Sequence, residues 1–177
     1  MSSGGPRSAI AVDGLDGSGK SRFAAALAAA LEAGGRSTRL LHVDDFRRPL
    51  DFAGLGAAEE SALYYDRYFD YGAVGAALAA HLGGPADGAL AVVEGVMVLR
   101  GLPAGVPLVV LEVSPEEARR RIAARDEAKG RTPADVAGRI ARRYFPAQAR
   151  YRAAFDPLAR ADLVVDNEAW ARPRVVR

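Results

Sequence analysis

Five short apolar runs punctuate the chain: Ser8–Asp13, Ser37–Val43, Ala89–Gly95, Pro107–Val113 and Asp162–Asp166. Each is the length of one strand and is bounded by turn or charged residues. Longer runs of helical character lie between them. Phe23–Leu31 is rich in Ala and Leu and is stopped by Gly34-Gly35; Gly72–Leu82 ends at Gly83-Gly84. Ser114-Pro115-Glu116-Glu117 reads as a capping box with Pro at the first helical position, opening a helix over 115–128. Thr132-Pro133 restarts a helix that Pro146 should kink or break. Residues 47–60 read as loop, and the last eleven residues carry no pattern. Strands alternating with helices predict an α/β fold, a five-stranded parallel sheet flanked by helices. No repeat, low-complexity tract or internal boundary divides the chain, so residues 1–177 are expected to form one domain, with 1–7 a flexible lead-in.

The turn after the first run changes this picture most. Gly14-Leu15-Asp16-Gly17-Ser18-Gly19-Lys20-Ser21 fits G-x-x-x-x-G-K-[ST], the phosphate-binding loop. Its glycines let successive backbone N–H groups point at phosphate oxygens, and the following helix adds the positive end of its dipole. Lys20 reaches the β- and γ-phosphates, and the Ser21 hydroxyl can take one corner of a Mg²⁺ shell. Strand, loop and helix stand in the order that the motif demands, which specifies the α/β fold as a P-loop NTPase fold. Gly14, Asp16, Gly17, Ser18, Gly19, Lys20, Ser21 and Arg22 are the expected nucleotide contacts, with ATP and Mg²⁺ as cofactors. The chain has two lysines, Lys20 and Lys129, and otherwise uses Arg, so a lysine in this one place stands out.

Carboxylates end two of the strands. Asp44-Asp45-Phe46 follows the second, where a carboxylate at the crevice could take a proton from a hydroxyl or hold Mg²⁺. Glu94 closes the third after an entirely apolar run, an arrangement suited to positioning a metal. His42 is expected to be a packed, hydrogen-bonded histidine inside its strand, and His81 to complement a helix dipole. Tyr64, Tyr65, Tyr68, Phe69 and Tyr71 form either a core stripe or an acceptor pocket, with rings stacking on a flat substrate and Asp66 or Asp70 bonding its hydroxyls. Eleven basic residues lie between 119 and 152 against Asp126, Glu127 and Asp135; most should be solvated, and two or three should reach the nucleotide from a helical, Arg-rich lid over about 116–145.

Composition adds mainly exclusions. Half of the residues are apolar and 26% charged, an ordinary globular balance. With no cysteine, a disulfide scaffold and Cys-based zinc sites drop out. A net charge of +2 is too small to argue nucleic-acid binding, and no run is long and apolar enough for a membrane span. The expectation is a cytoplasmic protein acting on a small molecule, with no nucleic-acid or membrane partner and with homo-oligomerisation left open.

With these pieces placed, the chain resembles the uridine kinase-like group of P-loop small-molecule kinases. The resemblance runs through Ile10–Ser21, Asp44-Asp45-Phe46, Val92-Val93-Glu94-Gly95, the Arg121–Arg131 stretch and Ala161–Val165. It implies ATP-dependent transfer of a phosphoryl group to a hydroxyl of a small molecule, nucleosides such as uridine or cytidine first. By it, Asp44 is the base on that hydroxyl, and Ser21, Asp44 and Glu94 surround Mg²⁺. Lys20, Arg121, Arg125 and Arg131 join Asp44 as catalytic candidates; Asp44, Phe46, Tyr64, Asp66, Tyr68 and Arg131 are the expected acceptor contacts. Two departures stand out: Leu63–Asp70 replaces the group's Asn-Phe-Asp-His-Pro type stretch, leaving only Phe69-Asp70 aligned, and Lys129 stands where an arginine is usual. Other acceptors (pantothenate, nicotinamide riboside, a sugar) and a nucleotide-binding regulator are the alternatives.

Overall fold

The computed structural model describes residues 5–177, so the expected flexibility of residues 1–4 lies outside the described residues. Arg7, counted in that lead-in, is anchored instead: its Nη2 pairs with Asp87 Oδ2 at 2.6 Å. All five expected strands form: β1 (Ser8–Gly14), β2 (Thr38–His42), β3 (Leu90–Glu94), β4 (Leu108–Glu112) and β5 (Leu163–Asp166). They run parallel in the order β2-β3-β1-β4-β5. A sixth strand, β6 (Arg174–Val175), adds antiparallel to the β5 edge, so the five-stranded expectation is one short. Two exposed residues in a polar tail offer no periodicity to read, and pairing alone makes them a strand.

Strand alternation builds two cores. Ala9, Ala11, Ala91, Val93, Leu108 and Val110 face one side, under α2 (Ala57–Arg67), α3 (Tyr71–Leu82) and α6 (Phe145–Phe155). Val12, Leu90, Val92, Val109 and Leu111 face the other, under α1 (Lys20–Ala33). Strand β3 is buried along its whole length, which is why it reads as an unbroken apolar run. Strand β1 lies between β3 and β4; the chain leaves it toward β2 on one side and crosses from β3 to β4 on the other, which opens a crevice at the carboxyl ends of the strands.

Several local readings need correction. Helix α2 begins at Ala57, inside the stretch expected to be loop, because Glu59 Oε2 accepts from Gly56 N at 2.8 Å and closes the first turn. The Ser114 cap forms on α4 (Pro115–Glu127), with its side chain accepting from Glu117 N, but Ser114 N donates to Glu168 and Glu117 turns to Arg120 and Arg121. Pro146 breaks nothing. The helix runs from α5 (Pro133–Arg139) through a wide π-turn (Ile140–Tyr144) into α6. Pro146 lacks an N–H and would collide with the carbonyl four residues back, and the wider turn just before it relieves both problems. Helix α7 (Pro157–Arg160) was not anticipated. His81 is buried and its Nε2 donates to Ser8 O at 3.2 Å, so it fastens α3 to β1 and does more than complement a dipole. Among the described residues no helix is long and apolar enough to cross a membrane.

Candidate active site

The loop Gly14–Gly19 leaves β1 and enters α1 as its sequence requires. Gly17 and Gly19 hold φ of 80° and 90°, in the left-handed region. Space is as restrictive as backbone angle. A Cβ on Gly17 would sit 2.5 Å from the Ala118 carbonyl oxygen of α4, and one on Gly19 would meet the Asn167 side chain at 2.9 Å. Gly14 is equally confined, with Leu111 O at 2.5 Å. Lys20 is buried, and its Nζ donates back across the loop to Gly14 O at 3.0 Å and Leu15 O at 2.8 Å.

A cleft of about 280 Å³ opens over this loop. Asp16, Gly17, Gly19, Lys20, Ser21 and Arg22 line one wall; Asp44 and Glu94, from the ends of β2 and β3, line another, and Arg121, Arg125 and Trp170 contribute a third. Ser18 is buried beneath the loop, not on the cleft, and Asn167 Nδ2 donates to its carbonyl at 2.7 Å. Ser21 Oγ donates to Glu94 Oε1 at 2.9 Å, and His42 Nδ1 bonds the same oxygen at 2.6 Å. The β2–β3 register sets His42 directly opposite Glu94. Thus His42 is hydrogen-bonded as expected, but to a residue of the candidate site. Among the described residues no three His, Asp, Glu or Cys side chains cluster as a metal cage. Ser21, Glu94 and Asp44 are a sparse set of hard oxygen donors, which fits Mg²⁺, an ion that keeps several waters and takes few protein ligands.

Asp16 is held from two sides. Gln148 grips it twice: Asp16 N donates to Oε1 at 2.8 Å, and Nε2 donates to Oδ2 at 3.1 Å. Arg125 Nη1 lies 3.8 Å from Oδ1. Burial pushes the Asp16 carboxyl up, against the pull of Lys20 and Arg125.

A second, smaller cleft of about 90 Å³ adjoins the first and shares Asp16, Asp44 and Arg125 with it. Tyr64, Tyr68, Phe69 and Tyr144 form its aromatic side, and Arg47, Asp126, Lys129, Arg131 and Arg139 its charged side. Asp44 faces both clefts while Asp45 lines neither, which separates two acids that the sequence cannot tell apart.

Three expected contacts are not delivered here. Asp66 sits two residues from Tyr64, roughly 200° around the helix, and pairs with Arg150 at 3.1 Å. Phe46 packs on the core and lines neither cleft. Asp70 caps α3 by accepting from Ala73 N at 2.9 Å and pairs with Arg48 at 2.6 Å, so it is committed elsewhere. Nor do the rings leave a slot between them. Tyr64 stacks on Tyr68 at 4.9 Å and meets Tyr144 at 5.4 Å, whereas a flat ring held between two others needs roughly 7 Å, two contacts of about 3.5 Å.

The arginines divide. Arg121 is buried, with its Nε on Glu117 Oε1 at 2.6 Å and Nη2 donating to the carbonyls of Asn167 and Glu168 at 2.9 and 2.8 Å. Its guanidinium braces the tail against α4, with Trp170 stacked at 4.4 Å, while Nη1 donates to Gly17 O of the loop at 3.4 Å and keeps the residue on the wall of the first cleft. Arg125 and Arg131 flank the buried Asp126 at 2.8 and 3.1 Å and keep surface on the clefts. Gln148, Tyr151, Asn167, Trp170 and Asp126 all support this region, and the sequence reading missed them. Only Trp170, the single tryptophan of the chain, carried any signal, and Arg22 also lies over its ring at 5.0 Å.

No protein-family model matches the chain, and no curated protein matches it. Solved structures do. A "possible uridine kinase" from Bacillus stearothermophilus superposes with a TM-score of 0.67 at 21% identity, covering 90% of this chain and 88% of its own. A proposed fructose transport system kinase from Silicibacter sp. TM1040 gives 0.63 at 23% identity, covering 84% and 85%. At such identities the likeness establishes a shared fold, the mixed α/β architecture in which both those proteins are built.

Proposed function

We propose that the protein is an ATP- and Mg²⁺-dependent phosphotransferase acting on a hydroxyl of a small molecule. The observation that carries this reading is the junction of two clefts at Asp44, one lined by Asp16, Gly17, Gly19, Lys20 and Ser21 of the loop and the other a smaller one with an aromatic and a charged side. The fold shared with two proteins named as kinases supports it. In this reading the acceptor hydroxyl oxygen attacks the γ-phosphorus of ATP in line. A new O–P bond forms while the bond from the γ-phosphorus to the β–γ bridging oxygen breaks; that oxygen keeps the electron pair as ADP leaves, and the hydroxyl proton passes to Asp44. Lys20 and the loop N–H groups hold the phosphates, and Arg125, at the seam of the clefts, faces the charge that develops. Mg²⁺, when bound, neutralises the phosphate oxygens; Ser21, Glu94 and Asp44 are the residues that would hold it. His42 orients Glu94 from behind. The sequence expectation of a nucleoside acceptor loses support, because Asp66 and Asp70 turn away and the rings close on one another.

The test is isothermal titration with ATP and Mg²⁺, followed by ADP release across a panel of hydroxyl compounds. Lys20→Ala should abolish ATP binding without unfolding the chain. Asp44→Asn should leave ATP affinity within a few-fold but lower kcat by about 10²-fold or more. Wild-type turnover in Asp44→Asn would remove that residue as the base, and ATP binding that ignores Lys20→Ala would remove the loop assignment.

A further inference from the structure

The acceptor cleft carries an imbalance of charge that phosphoryl transfer to a neutral alcohol does not need. Five cationic side chains line it, Arg47, Arg125, Lys129, Arg131 and Arg139, against three acids, Asp16, Asp44 and Asp126. The acids are committed. Asp126 is almost fully buried and is shared by Arg125 and Arg131, and Asp16 is held by Gln148 and faced by Arg125. Asp44 stands at the junction, where the reacting hydroxyl belongs. Among the described residues no uncommitted acid therefore lines this cleft to hold the hydroxyls of a neutral sugar or nucleoside. Cations do remain: Lys129 and Arg139, with Arg47 beside Asp44, where its Nε donates to the Asp44 carbonyl at 2.7 Å and its Nη1 lies 4.0 Å from the carboxylate. Arg47, Lys129 and Arg139 come from three separate places: the segment after the Val43–Phe46 turn, the α4–α5 connection and the last turn of α5. Converging cations beside apolar rings are disfavoured by mutual repulsion unless an anion sits among them.

Resting on the phosphotransferase reading above, we propose that the acceptor is a small hydroxylated anion, a carboxylate or a phosphate monoester. Its anionic group lies among Lys129, Arg139 and Arg47, and its hydroxyl points to Asp44. Arginine offers a planar fork to either anion and lysine a compact charge. The small volume of the cleft and the closed stack of Tyr64 on Tyr68 both argue for a compact, non-aromatic body. Charge, not ring stacking, then selects the acceptor.

The experiment uses the full chain with ATP and Mg²⁺ and pairs each anion with its neutral counterpart: glycerate with glycerol, gluconate with glucose, ribose 5-phosphate with ribose, and uridine as the flat control. Binding is read by ligand-observed NMR at low and high salt, and transfer by ADP release. At least one anion should bind about tenfold or more tighter than its counterpart, with a preference that shrinks as salt rises. The carboxylate and phosphate arms tell the two chemistries apart. Lys129→Gln and Arg139→Gln should each erode that preference about tenfold, Lys129→Arg should keep it, and thermal melting checks that each variant is folded. The inference is overturned if the neutral partners or uridine bind as well as the anions, if no anion binds, or if both Gln variants keep the preference. ATP binding, measured alongside and dependent on Lys20, judges the kinase reading separately: a neutral compound phosphorylated by the protein leaves that reading standing and removes only this one.

Discussion

Removing one hydroxyl beneath the loop should be felt at neutral pH and much less in acid. Asp13, the residue before Gly14, is 1% exposed. Its Oδ1 accepts from Gly14 N at 2.7 Å, and its Oδ2 accepts from the Tyr151 hydroxyl of α6. Burial raises the Asp13 carboxyl above its ordinary value, and the Tyr151 hydrogen bond is the largest influence holding it down. Burial also raises Tyr151, which keeps its hydroxyl a donor. Tyr151→Phe removes that donor and leaves a buried carboxylate with Gly14 N and the charges of Lys20 and Arg152. A hydrogen bond to a charged group is worth about 1.5–3 kcal/mol, so about 2 kcal/mol of stability should be lost at pH 7.5. The pH dependence has a definite sign. A carboxyl whose folded pKa lies above its unfolded value binds more protons when folded, so stability falls as pH rises from the unfolded pKa through the folded one. The variant raises the folded value further, so its deficit should be largest above that window and shrink as pH falls through it and Asp13 takes up its proton. Urea denaturation of both proteins at several pH values measures this directly. A deficit below about 0.5 kcal/mol, or one that is constant with pH, would refute the role given to this pair.

Two further substitutions probe the site's framework. Gly17→Ala places a methyl 2.5 Å from a backbone oxygen at a φ of 80°; a loss of about 2 kcal/mol, a Tm fall on the order of 5 °C, and weakened ATP binding are expected. An unchanged melting curve would mean that α4 yields easily. Arg121→Ala should cost roughly 2–4 kcal/mol by leaving buried carbonyls without donors, and Arg121→Lys should not restore it. A stable Arg121→Ala protein that fails only in transfer would instead make this arginine a phosphate ligand.

What was legible in the sequence was local. Strands β1, β3 and β4 read correctly because burial on both faces writes continuous apolar runs. The strand, loop and helix around Gly14–Ser21 were legible because their constraints act over eight neighbouring residues. The Ser114 cap and the start of α4 were equally local. Where the reading failed, the deciding contact joined distant residues. Pro146 was expected to kink or break a helix, and the helix continues past it through a π-turn. Asp66 looked equivalent to Asp70, yet one pairs with Arg150 on the far face and the other caps α3. Arg121 and Arg125 lie one turn apart on the same helix. Only the approach of Asn167, Glu168 and Trp170 buries the first, which lines one cleft, while the second keeps surface on both.

The sequence alone determined the alternation of strand and helix, the loop with its lysine, and the carboxylates that end β2 and β3. These follow from periodicity, backbone geometry and short-range spacing, which are properties of neighbouring residues. Tertiary structure decided which carboxylate faces the clefts, which arginines stay available, and that the cleft beside Asp44 is small and cationic. Those depend on which side chains find partners across 40 to 150 residues of chain, as Asn167 does at Ser18 and Gln148 at Asp16. A buried polar group must be satisfied by whatever lies nearest in space, and nearness in space is not written in the local pattern.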